Sequence, residues 1–508
     1  MFSPRSQLGQ RLLGATPAAG DGVAFRVWAP NATAVAVRLR GRDLSLVQEG
    51  DGFWAAEVAA AAGDHYTFVA DGRAWPDPSS RWQPEGVRGP SRVLDTASFE
   101  IAPGPRLDLE ELVLYELHVG TFSPQGTFDG VVPRLRALRE LGVTAIELMP
   151  VATFPGGRGW GYDGLYTSAP HPAYGGPEGL ARLVDAAHRE GLGVVLDVVY
   201  NHVGPGNEAL RAFGPYFTGR FGETPWGEAL DYAETGVREW ALQNAELWVR
   251  DYRIDGLRLD AVHAVRDDSP VHVLAELAAR VRDANPDALV ISEMGSPDFR
   301  PVTEWGHDAM WLDSLHHALH VALTGERDGY YADFDGSMAQ IAAELRRPEG
   351  AKIVAAAQNH DQVGNRALGD RLPDARRRVA AAVVLFSTFT PLLFQGEEYG
   401  EQAPFRFFTD HIDPFIADAT REGRRREFRR FAGFAGEVPD PQDVESFELS
   451  KLTAREPEPL YVELLRLRRE LPRELEVSFD EQARTLELRR GRATLRADFR
   501  GETVELDG

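Results

Sequence analysis

Arg258 and Asp260 are residues whose types and spacing could do chemistry. They lie two positions apart in the segment GLRLDAVHA, which covers Gly256 to Ala264. Side chains two apart on a strand share a face, so both charges point one way while Leu257 and Leu259 point the other way. An isolated arginine and aspartate in this arrangement form a buried structural ion pair about as often as a functional site. Acids elsewhere in the chain must therefore decide between the two interpretations.

Two further acids, Glu293 and Asp361, stand at the ends of the apolar runs LVISE and KIVAAAQNHD. If these runs are parallel strands of one sheet, three carboxylates converge at one edge. Such a cluster is unfavourable because like charges repel, unless it has a function or is neutralised by a partner such as Arg258. Two carboxyl groups facing each other across a glycosidic bond perform glycoside hydrolysis, since one attacks and the other protonates the departing oxygen. The acids therefore predict a glycosidase site.

A metal site is the competing use of such acids. His202, His263 and His360 each stand alone, and the candidate first strand YELHVG has a single histidine. No trio of ligands has a spacing typical of zinc, so we predict no metal site and rank a metal-dependent, amidohydrolase-like barrel well below the glycosidase interpretation. The glycine pairs that begin at Gly156 and Gly175 do not join a strand to a helix as a phosphate-binding loop requires.

Four aromatic residues cluster in the loop GWGYDGLYTSAPHPAYGGPE: Trp160, Tyr162, Tyr166 and Tyr174. Each ring taken alone is more often part of a core than a ligand platform. Sugars bind by laying their C–H faces on aromatic rings, so the group as a whole favours a carbohydrate ligand.

These polar and aromatic residues need elements that hold them together, and the middle of the chain has a regular pattern. Eight apolar runs alternate with amphipathic helical segments, which indicates parallel strands and a (β/α)8 TIM barrel. Chemistry gathers at the carboxyl ends of barrel strands, because the loops there surround one pocket. Two helical segments, VPRLRALRELG and GLARLVDAAHREGLG, are predicted to stop at their glycines. The runs are LVLYELHV, VTAIELMP, GVVLDVVYNH, GLRLDAVHA, LVISEMG, DAMWLDSLHH, KIVAAAQNHD and PLLFQGEE.

Different patterns on either side of the barrel predict a multidomain α/β protein. Short alternating runs between Gly22 and Ile101, separated by turn residues, are typical of antiparallel strands. We predict an immunoglobulin-like N-terminal β-sandwich at residues 1–105, which the glycosidase interpretation makes an accessory module. Its Trp28 and Trp54 are predicted to support the barrel rather than bind ligand. The catalytic barrel is predicted to span residues 106–455, and a helix with a small C-terminal β domain residues 456–508.

Composition narrows the partners and the compartment. The 508 residues include 55 basic and 78 acidic ones, a net charge of −23, which disfavours nucleic acid and anionic membranes as partners. The chain has no cysteine, so disulfides and thiolate metal sites are excluded. The segment MFSPRSQLGQ lacks the apolar core of a signal peptide, and no apolar run approaches the roughly 20 residues of a membrane span. We therefore predict a soluble, cytoplasmic protein. The arginine-rich segment REGRRREFRRF is interpreted as a solvated or salt-bridged face.

Four segments resemble, in order and spacing, the signature regions of the α-amylase family of retaining glycosidases. They are DVVYNH at Asp197 to His202, GLRLDAVHA at Gly256 to Ala264, the run that ends at Glu293, and QNHD at Gln358 to Asp361. The coincidence of all four is highly specific. The resemblance implies a barrel enzyme that cleaves α-glucosidic bonds with retention of configuration and without a cofactor.

The resemblance also implies catalytic roles by position. Asp260 would be the nucleophile that forms a glycosyl ester, and Glu293 the acid that protonates the departing oxygen and then activates water. Asp361 would bind sugar hydroxyls and help distort the ring, while Arg258 would keep Asp260 ionised. For retention, the carboxyl groups of Asp260 and Glu293 should lie roughly 5 to 5.5 Å apart.

The resemblance also implies that five residues bind substrate in addition to Arg258. His202 and His360 would hydrogen-bond the sugar before the scissile bond, and Tyr162 would stack beneath it. Trp160 and His263 complete this implied set.

Within the family, the chain is most similar to enzymes that cut the α-1,4 bond next to the terminal trehalose of maltooligosyl trehalose. The similar segments run from RVWAPNA to VPDPQDVESFELSKL and include GERDGYYADF and QNHDQVGNRALGDRL. This similarity implies maltooligosyl trehalose and related α-glucans as substrates, trehalose biosynthesis as the process, and functional pairing with a maltooligosyl trehalose synthase. Two alternatives stay open: a glycogen branching or debranching enzyme of the same family, and a catalytically silent carbohydrate-binding protein.

Overall fold

The computed structural model describes residues 11–18, 20, 22–224, 227–428 and 437–508. The segment MFSPRSQLGQ and the end of the arginine-rich segment, residues 429–431, lie outside the described residues. Within the described ranges, no helix has both the length and the apolar character needed to cross a bilayer.

Residues 14–92 form two antiparallel sheets that pack face to face, which confirms the predicted sandwich. One sheet has the strand order β1-β2-β6-β5, and the other has β4-β3-β7-β8 with β9 beside β7. Phe25 of β2 and Phe68 of β7 are fully buried and meet edge to face, with ring centroids 6.4 Å apart. The strands are β1 Gly14–Pro17, β2 Gly22–Trp28, β3 Val35–Leu39, β4 Arg42–Ser45, β5 Val47–Gly50, β6 Phe53–Ala59, β7 His65–Ala70, β8 Arg73–Trp75 and β9 Ser91–Arg92.

Eight strands between residues 114 and 394 close into one parallel barrel, which confirms the predicted (β/α)8 fold. Their order around the barrel is their order in the chain, and each predicted apolar run overlaps one of them. Both faces of these strands are covered, since helices pack outside and side chains fill the inside. Through the fourth barrel strand the elements are β10 Leu114–Leu117, α1 Val119–Phe122, α2 Phe128–Val131, α3 Leu135–Leu141, β11 Ala145–Leu148, β12 Ala152–Thr153, β13 Tyr166–Pro170, α4 Gly176–Glu190, β14 Gly193–Val198, α5 Glu208–Phe213, β15 Phe217–Thr224, β16 Gly227–Leu230, α6 Thr235–Asp251 and β17 Gly256–Leu259.

The second half of the barrel continues the alternation. Its elements are α7 Val273–Ala284, β18 Leu289–Glu293, α8 Arg300–Thr303, β19 Ala309–Trp311, α9 Ser314–Thr324, α10 Met338–Leu345, β20 Ile353–Ala356, α11 His360–Gly364, α12 Asp374–Phe386, β21 Thr390–Phe394, α13 Pro414–Phe428 and α14 Val444–Glu448. Helices α3 and α4 end at Gly142 and Gly191, as predicted. Both glycines have a positive φ (114° and 79°) and donate their N–H groups to carbonyls of the last helical turn.

Strand register determines which side chains meet inside the barrel. Asp197 on β14 is paired with Arg258 on β17, and Glu116 on β10 with Glu147 on β11. Arg258 is fully buried and contacts Asp197, which confirms that the charged positions of GLRLD face the barrel interior.

The chain ends in a helix and a small antiparallel sheet, as predicted. Helix α15 Pro459–Glu470 packs on α12, and the sheet has the order β22-β23-β24-β25. Its strands are β22 Glu476–Asp480, β23 Thr485–Arg490, β24 Ala493–Asp498 and β25 Thr503–Asp507. In the described part of the arginine-rich segment, Arg421 binds Asp440 and Asp418, whereas Arg424 is buried against Phe428.

The sandwich is fitted closely onto the barrel. Trp28 at the end of β2 is 2% exposed and packs edge-on against Tyr216. A Cβ at Gly236 of α6 would lie 2.0 Å from the Trp28 ring, so only glycine allows this approach. Trp54 is also buried, and its indole N–H donates to the carbonyl of Ala29. Both tryptophans therefore serve packing.

Candidate active site

Arg258 lies at the centre of the site. Its Nη1 makes ion pairs of 2.8 Å with Asp197 Oδ2 and with Asp260 Oδ1, and its Nη2 lies 3.0 Å from Glu293 Oε2. The ring of Trp311 lies 4.4 Å from the guanidinium carbon. The three acids stand on or directly after the neighbouring strands β14, β17 and β18, so the barrel brings one arginine between all of them.

Asp260 is held by a donor on each carboxylate oxygen. Arg258 Nη1 donates to Oδ1 over 2.8 Å, and the Asn201 amide donates to Oδ2 over 2.6 Å. The same amide donates to the backbone carbonyl of Asp260. Side chain and backbone are therefore fixed together at the point where β17 ends.

Glu293 accepts a 2.7 Å hydrogen bond at Oε2 from the backbone N–H of Ala261. Burial raises the pKa of Glu293; Arg258 and the Ala261 N–H act in the opposite direction, while the Asp260 carboxylate adds to the increase. A carboxyl group with a raised pKa keeps its proton closer to neutral pH, as a general acid must. Ala261 has φ 40° and ψ 52°, the left-handed conformation that non-glycine residues rarely adopt.

His360 and Asp361 begin helix α11, just after β20. The backbone N–H and Nδ1 of His360 both donate to the Glu116 carboxylate on β10. Burial alone would lower the pKa of His360, but Asp361 and Glu116 outweigh it and raise the pKa to about 10. The ring therefore carries a positive charge at neutral pH. Its Nε2 lies 3.4 Å from Asp361 Oδ2.

Asp361 is the most accessible of the three predicted catalytic acids. Its side chain is 32% exposed, against 11% for Asp260 and 19% for Glu293. The Asn365 amide donates to its Oδ1 over 2.9 Å, one turn along α11. A partly exposed carboxyl group of this kind can bind sugar hydroxyls.

Tyr162 connects the acids to the histidine. Its hydroxyl donates to Asp197 Oδ2 over 2.7 Å and accepts from His360 Nε2 over 2.8 Å. The two rings stack, with centroids 5.1 Å apart and planes at 22°. Trp160 is 6% exposed, stacks on Phe405, and donates its indole N–H to a backbone carbonyl. Trp160 therefore mainly packs behind the site, whereas Tyr162 contacts the charged groups directly.

The first cleft has a volume of about 160 Å³, and its lining includes Trp160, Tyr162, His202 and His411 but not Asp260, Glu293 or Asp361. Burial lowers the pKa of His202, and its Nδ1 contacts the side-chain oxygen of Asn201. A neutral His202 can donate or accept hydrogen bonds with a sugar.

His263 does not line the first cleft. It is exposed in the turn after β17, and its Nδ1 accepts from the backbone N–H of Gly295 over 3.3 Å. His263 thus links the loops that follow Asp260 and Glu293.

Three further acids of the site escaped the sequence analysis: Glu116, Glu147 and Asp313. Glu147 is fully buried, and neither of its carboxyl oxygens has a hydrogen-bond partner among the described residues. Burial and Glu116 raise its pKa well above the usual value. Burial, Glu293 and Asp361 raise the pKa of Asp313 to about 7. The available signal was an acid inside or just after an otherwise apolar run, as in LYEL, AIEL and MWLD.

Within the described ranges, no group of three or more histidine and acidic side chains is arranged to hold a metal ion. The converging acids bind Arg258 and His360 instead.

Two known family models match the chain, one in the barrel and one in the N-terminal sandwich. Residues 86–213 match the model of the alpha amylase catalytic domain, and residues 12–84 match carbohydrate-binding module 48, the isoamylase N-terminal domain. The first match includes the first three barrel strands, β10, β11 and β14, and the second includes most of the sandwich.

Similar proteins narrow the family. The malto-oligosyltrehalose trehalohydrolase of Deinococcus radiodurans is 44% identical, over 91% of this chain and 83% of its own length. The enzyme of that name from Saccharolobus solfataricus is 41% identical, over 89% of this chain and 86% of its own. A solved alpha amylase-like protein of Salmonella typhimurium superposes with a TM-score of 0.86 at 38% identity, covering 95% of this chain and 92% of that one. The chain therefore belongs to the malto-oligosyltrehalose trehalohydrolases of the α-amylase family.

Proposed function

We propose that the protein is a retaining glycosidase that hydrolyses the α-1,4 bond next to the terminal trehalose of maltooligosyl trehalose and releases trehalose. The observation that carries the proposal is the single guanidinium of Arg258, which binds the carboxyl groups of both Asp260 and Glu293 at the end of the barrel strands. The names of the relatives support the substrate.

In the first step, Asp260 attacks the anomeric carbon of the glucose unit before the scissile bond, and the bond to the departing oxygen breaks. Glu293 gives its proton to that oxygen, so trehalose leaves with a complete hydroxyl group. The glucan remains as a β-glycosyl ester on Asp260. The raised pKa of Glu293 supports its role as the acid.

In the second step, Glu293 takes a proton from water, whose oxygen attacks the same carbon and displaces Asp260. Each step inverts the configuration at that carbon, so the product retains the α configuration. The glucan leaves as a shortened maltooligosaccharide, and both carboxyl groups return to their starting protonation states.

Asp361 and His360 are proposed to bind hydroxyl groups of the same glucose unit. Asp361 is the most exposed of the acids, and His360 carries a charge maintained by Glu116 and Asp361. Charged partners make stronger hydrogen bonds than neutral ones, which suits a pair that must hold a distorted ring.

The remaining predicted residues are proposed to act around that glucose unit. Tyr162 and His202 would contact the sugar from the first cleft, with Trp160 as the wall behind them. His263, outside that cleft and linked to the loop after Glu293, would face the departing trehalose.

The proposal extends to organisation and context. We propose an accessory sandwich at residues 1–105, the catalytic barrel at 106–455 and a helix with a β domain at 456–508. We also propose a cytoplasmic location and functional pairing with a maltooligosyl trehalose synthase that supplies the substrate.

Product analysis tests the function. Maltooligosyl trehalose should yield trehalose and a maltooligosaccharide faster than linear maltodextrin of equal length is cut. Equal cleavage of the two would contradict specificity for the trehalose end. New branches in amylose, detected by iodine staining, would indicate a branching enzyme, and cleavage of an α-1,6 substrate a debranching enzyme. Binding without turnover would indicate a silent carbohydrate-binding protein.

A further inference from the structure

A second cleft lies between the N-terminal sandwich and the barrel. Its volume is about 390 Å³, which is in the range of small-molecule sites. The sandwich supplies Arg73, Trp75 and Arg88 to its lining, and the barrel loops supply Glu208 and Ile412. The reaction proposed above uses none of these residues.

The second cleft adjoins the first cleft. Pro155 and His411 line both. His411 is fixed at this boundary, because its backbone N–H donates to Gln442 Oε1 over 3.0 Å and its ring lies 3.6 Å from Asp163 Oδ2. Asp163 directly follows Tyr162, so the path between the clefts begins beside the proposed sugar site.

The lining of the second cleft combines apolar surface with polar groups. Trp75 is half-buried, and the guanidinium of Arg73 lies 4.1 Å from its ring centroid. On the barrel side, Ile412 is 48% exposed and lines the cleft together with Ile416. Glu208 adds an acceptor for hydroxyl groups, and the mixture matches a sugar, which has both C–H faces and hydroxyls.

The proposed substrate has two parts, trehalose and a glucan chain, and they determine which ligand the second cleft can bind. This inference therefore rests on the proposed function. Trehalose is a disaccharide of fixed length, whereas the glucan part varies in length and is bonded to the unit next to Tyr162 and His202. Only the glucan part can continue from the first cleft into the second. We infer that the second cleft binds the distal glucose units of the maltooligosyl chain, with Trp75 and Ile412 as apolar contacts. The sandwich is thereby part of the substrate site, although Trp28 and Trp54 are not.

Binding to a Glu293→Gln background tests this inference without turnover. Affinities are measured by calorimetry for maltosyl trehalose and for maltoheptaosyl trehalose, and for linear maltodextrins of the same two lengths. We expect the longer ligands to bind more tightly. Trp75→Ala and Ile412→Ala should each weaken binding of the longer ligands about fivefold to tenfold relative to the shorter ones, and Trp75→Phe should keep most of the affinity. Phe479→Ala, which truncates an aromatic side chain 39% exposed on the C-terminal sheet, is the matched control and should change nothing.

Outcomes separate this inference from the proposed function. If the wild-type protein releases trehalose but both alanine variants keep the full gain in affinity with chain length, the inference is wrong and the function stands. An affinity that does not increase with length also overturns it. If no trehalose is released, the function is wrong, and the maltodextrin series alone decides whether the cleft binds glucan. Ile412 is 48% exposed, so its truncation to alanine tests the cleft even if Trp75→Ala fails to fold.

Discussion

The backbone N–H of Ala261 donates to Oε2 of Glu293 over 2.7 Å, so the residue after the proposed nucleophile orients the proposed acid. Ala261 itself has the left-handed conformation, with φ 40°. That conformation costs about 1 to 2 kcal/mol for a residue with a Cβ. Local strain of this kind is tolerated where it places a functional group.

Ala261→Val should therefore be damaging. A β-branched side chain suits a positive φ worse than alanine does, so we expect a loss of about 1 to 2 kcal/mol in the free energy of unfolding and a kcat about tenfold lower. Urea unfolding and initial rates measure the two effects. Ala261→Gly is the control, since glycine adopts this conformation freely and should stay within about 1 kcal/mol of wild type. A valine variant as stable and active as the glycine variant would rule out this role for the backbone.

The leaving group distinguishes the roles of the two carboxyl groups. Glu293→Gln should lower kcat on maltooligosyl trehalose by about 10² to 10⁴-fold. The loss should be far smaller on a glycosyl fluoride, because its leaving group, the fluoride ion, departs without being protonated. Asp260→Asn should be severely impaired on both, because no ester can form. Initial rates on the two substrates give the comparison. An equal loss on both for Glu293→Gln would remove Glu293 from the role of acid.

Arg258 should also be essential to the fold. Arg258→Met leaves Asp197, Asp260 and Glu293 without their shared cation, and breaking a buried ion pair destabilises a protein by about 3 to 5 kcal/mol. Arg496→Met is the matched control, because Arg496 is 56% exposed where it pairs with Glu487, and loss of an exposed pair should leave the denaturant midpoint almost unchanged. Denaturant midpoints measure both. Similar midpoints for the two variants would contradict the central position of Arg258.

The raised pKa of His360 leads us to expect that the free energy of unfolding depends on pH. Its pKa is raised from 6.5 to about 10, so protonated His360 stabilises the fold fully below pH 6.5 and loses this contribution as the pH rises towards 10. The total change is on the order of a few kcal/mol. Measurements from pH 8.5 to 10 lie well above the raised pKa values of Asp197 and Asp313, which are about 7.

Glu116→Gln isolates the contribution of that pair. The variant removes one of the two carboxylates that raise the pKa of His360, so the free energy of unfolding should fall less steeply with pH in this window than in the wild type. Urea unfolding at several pH values provides the slopes. Identical slopes would show that Glu116 does not hold the proton on His360.

Most of the architecture could be predicted from local pattern. Alternation of apolar runs and amphipathic helices repeats eight times, and a parallel barrel follows from it because such strands need helical crossovers. The inward direction of Arg258 and Asp260 followed from the two-residue period of a strand. These features depend only on neighbours in the chain.

Features that depend on distant partners could not be predicted in this way. The contact of His360 with Glu116 joins residues 244 positions apart, and periodicity does not specify which inward side chains meet across a barrel. The left-handed backbone of Ala261 had no signal, since glycine or asparagine normally marks that conformation. The cleft between Trp75 and Ile412 depends on how the sandwich packs against the barrel.

The close fit of Trp28 over Gly236 constrains how the protein can be re-engineered. A chimera that joins this sandwich to another barrel must also keep a glycine at that point of α6, because any side chain there meets the indole at 2.0 Å. Deleting the sandwich would leave Tyr216 and Trp240, both buried in the intact chain, without the partners Trp28 and Pro78. The sandwich therefore cannot simply be removed. A shorter version of the enzyme would need a redesigned surface on this side of the barrel.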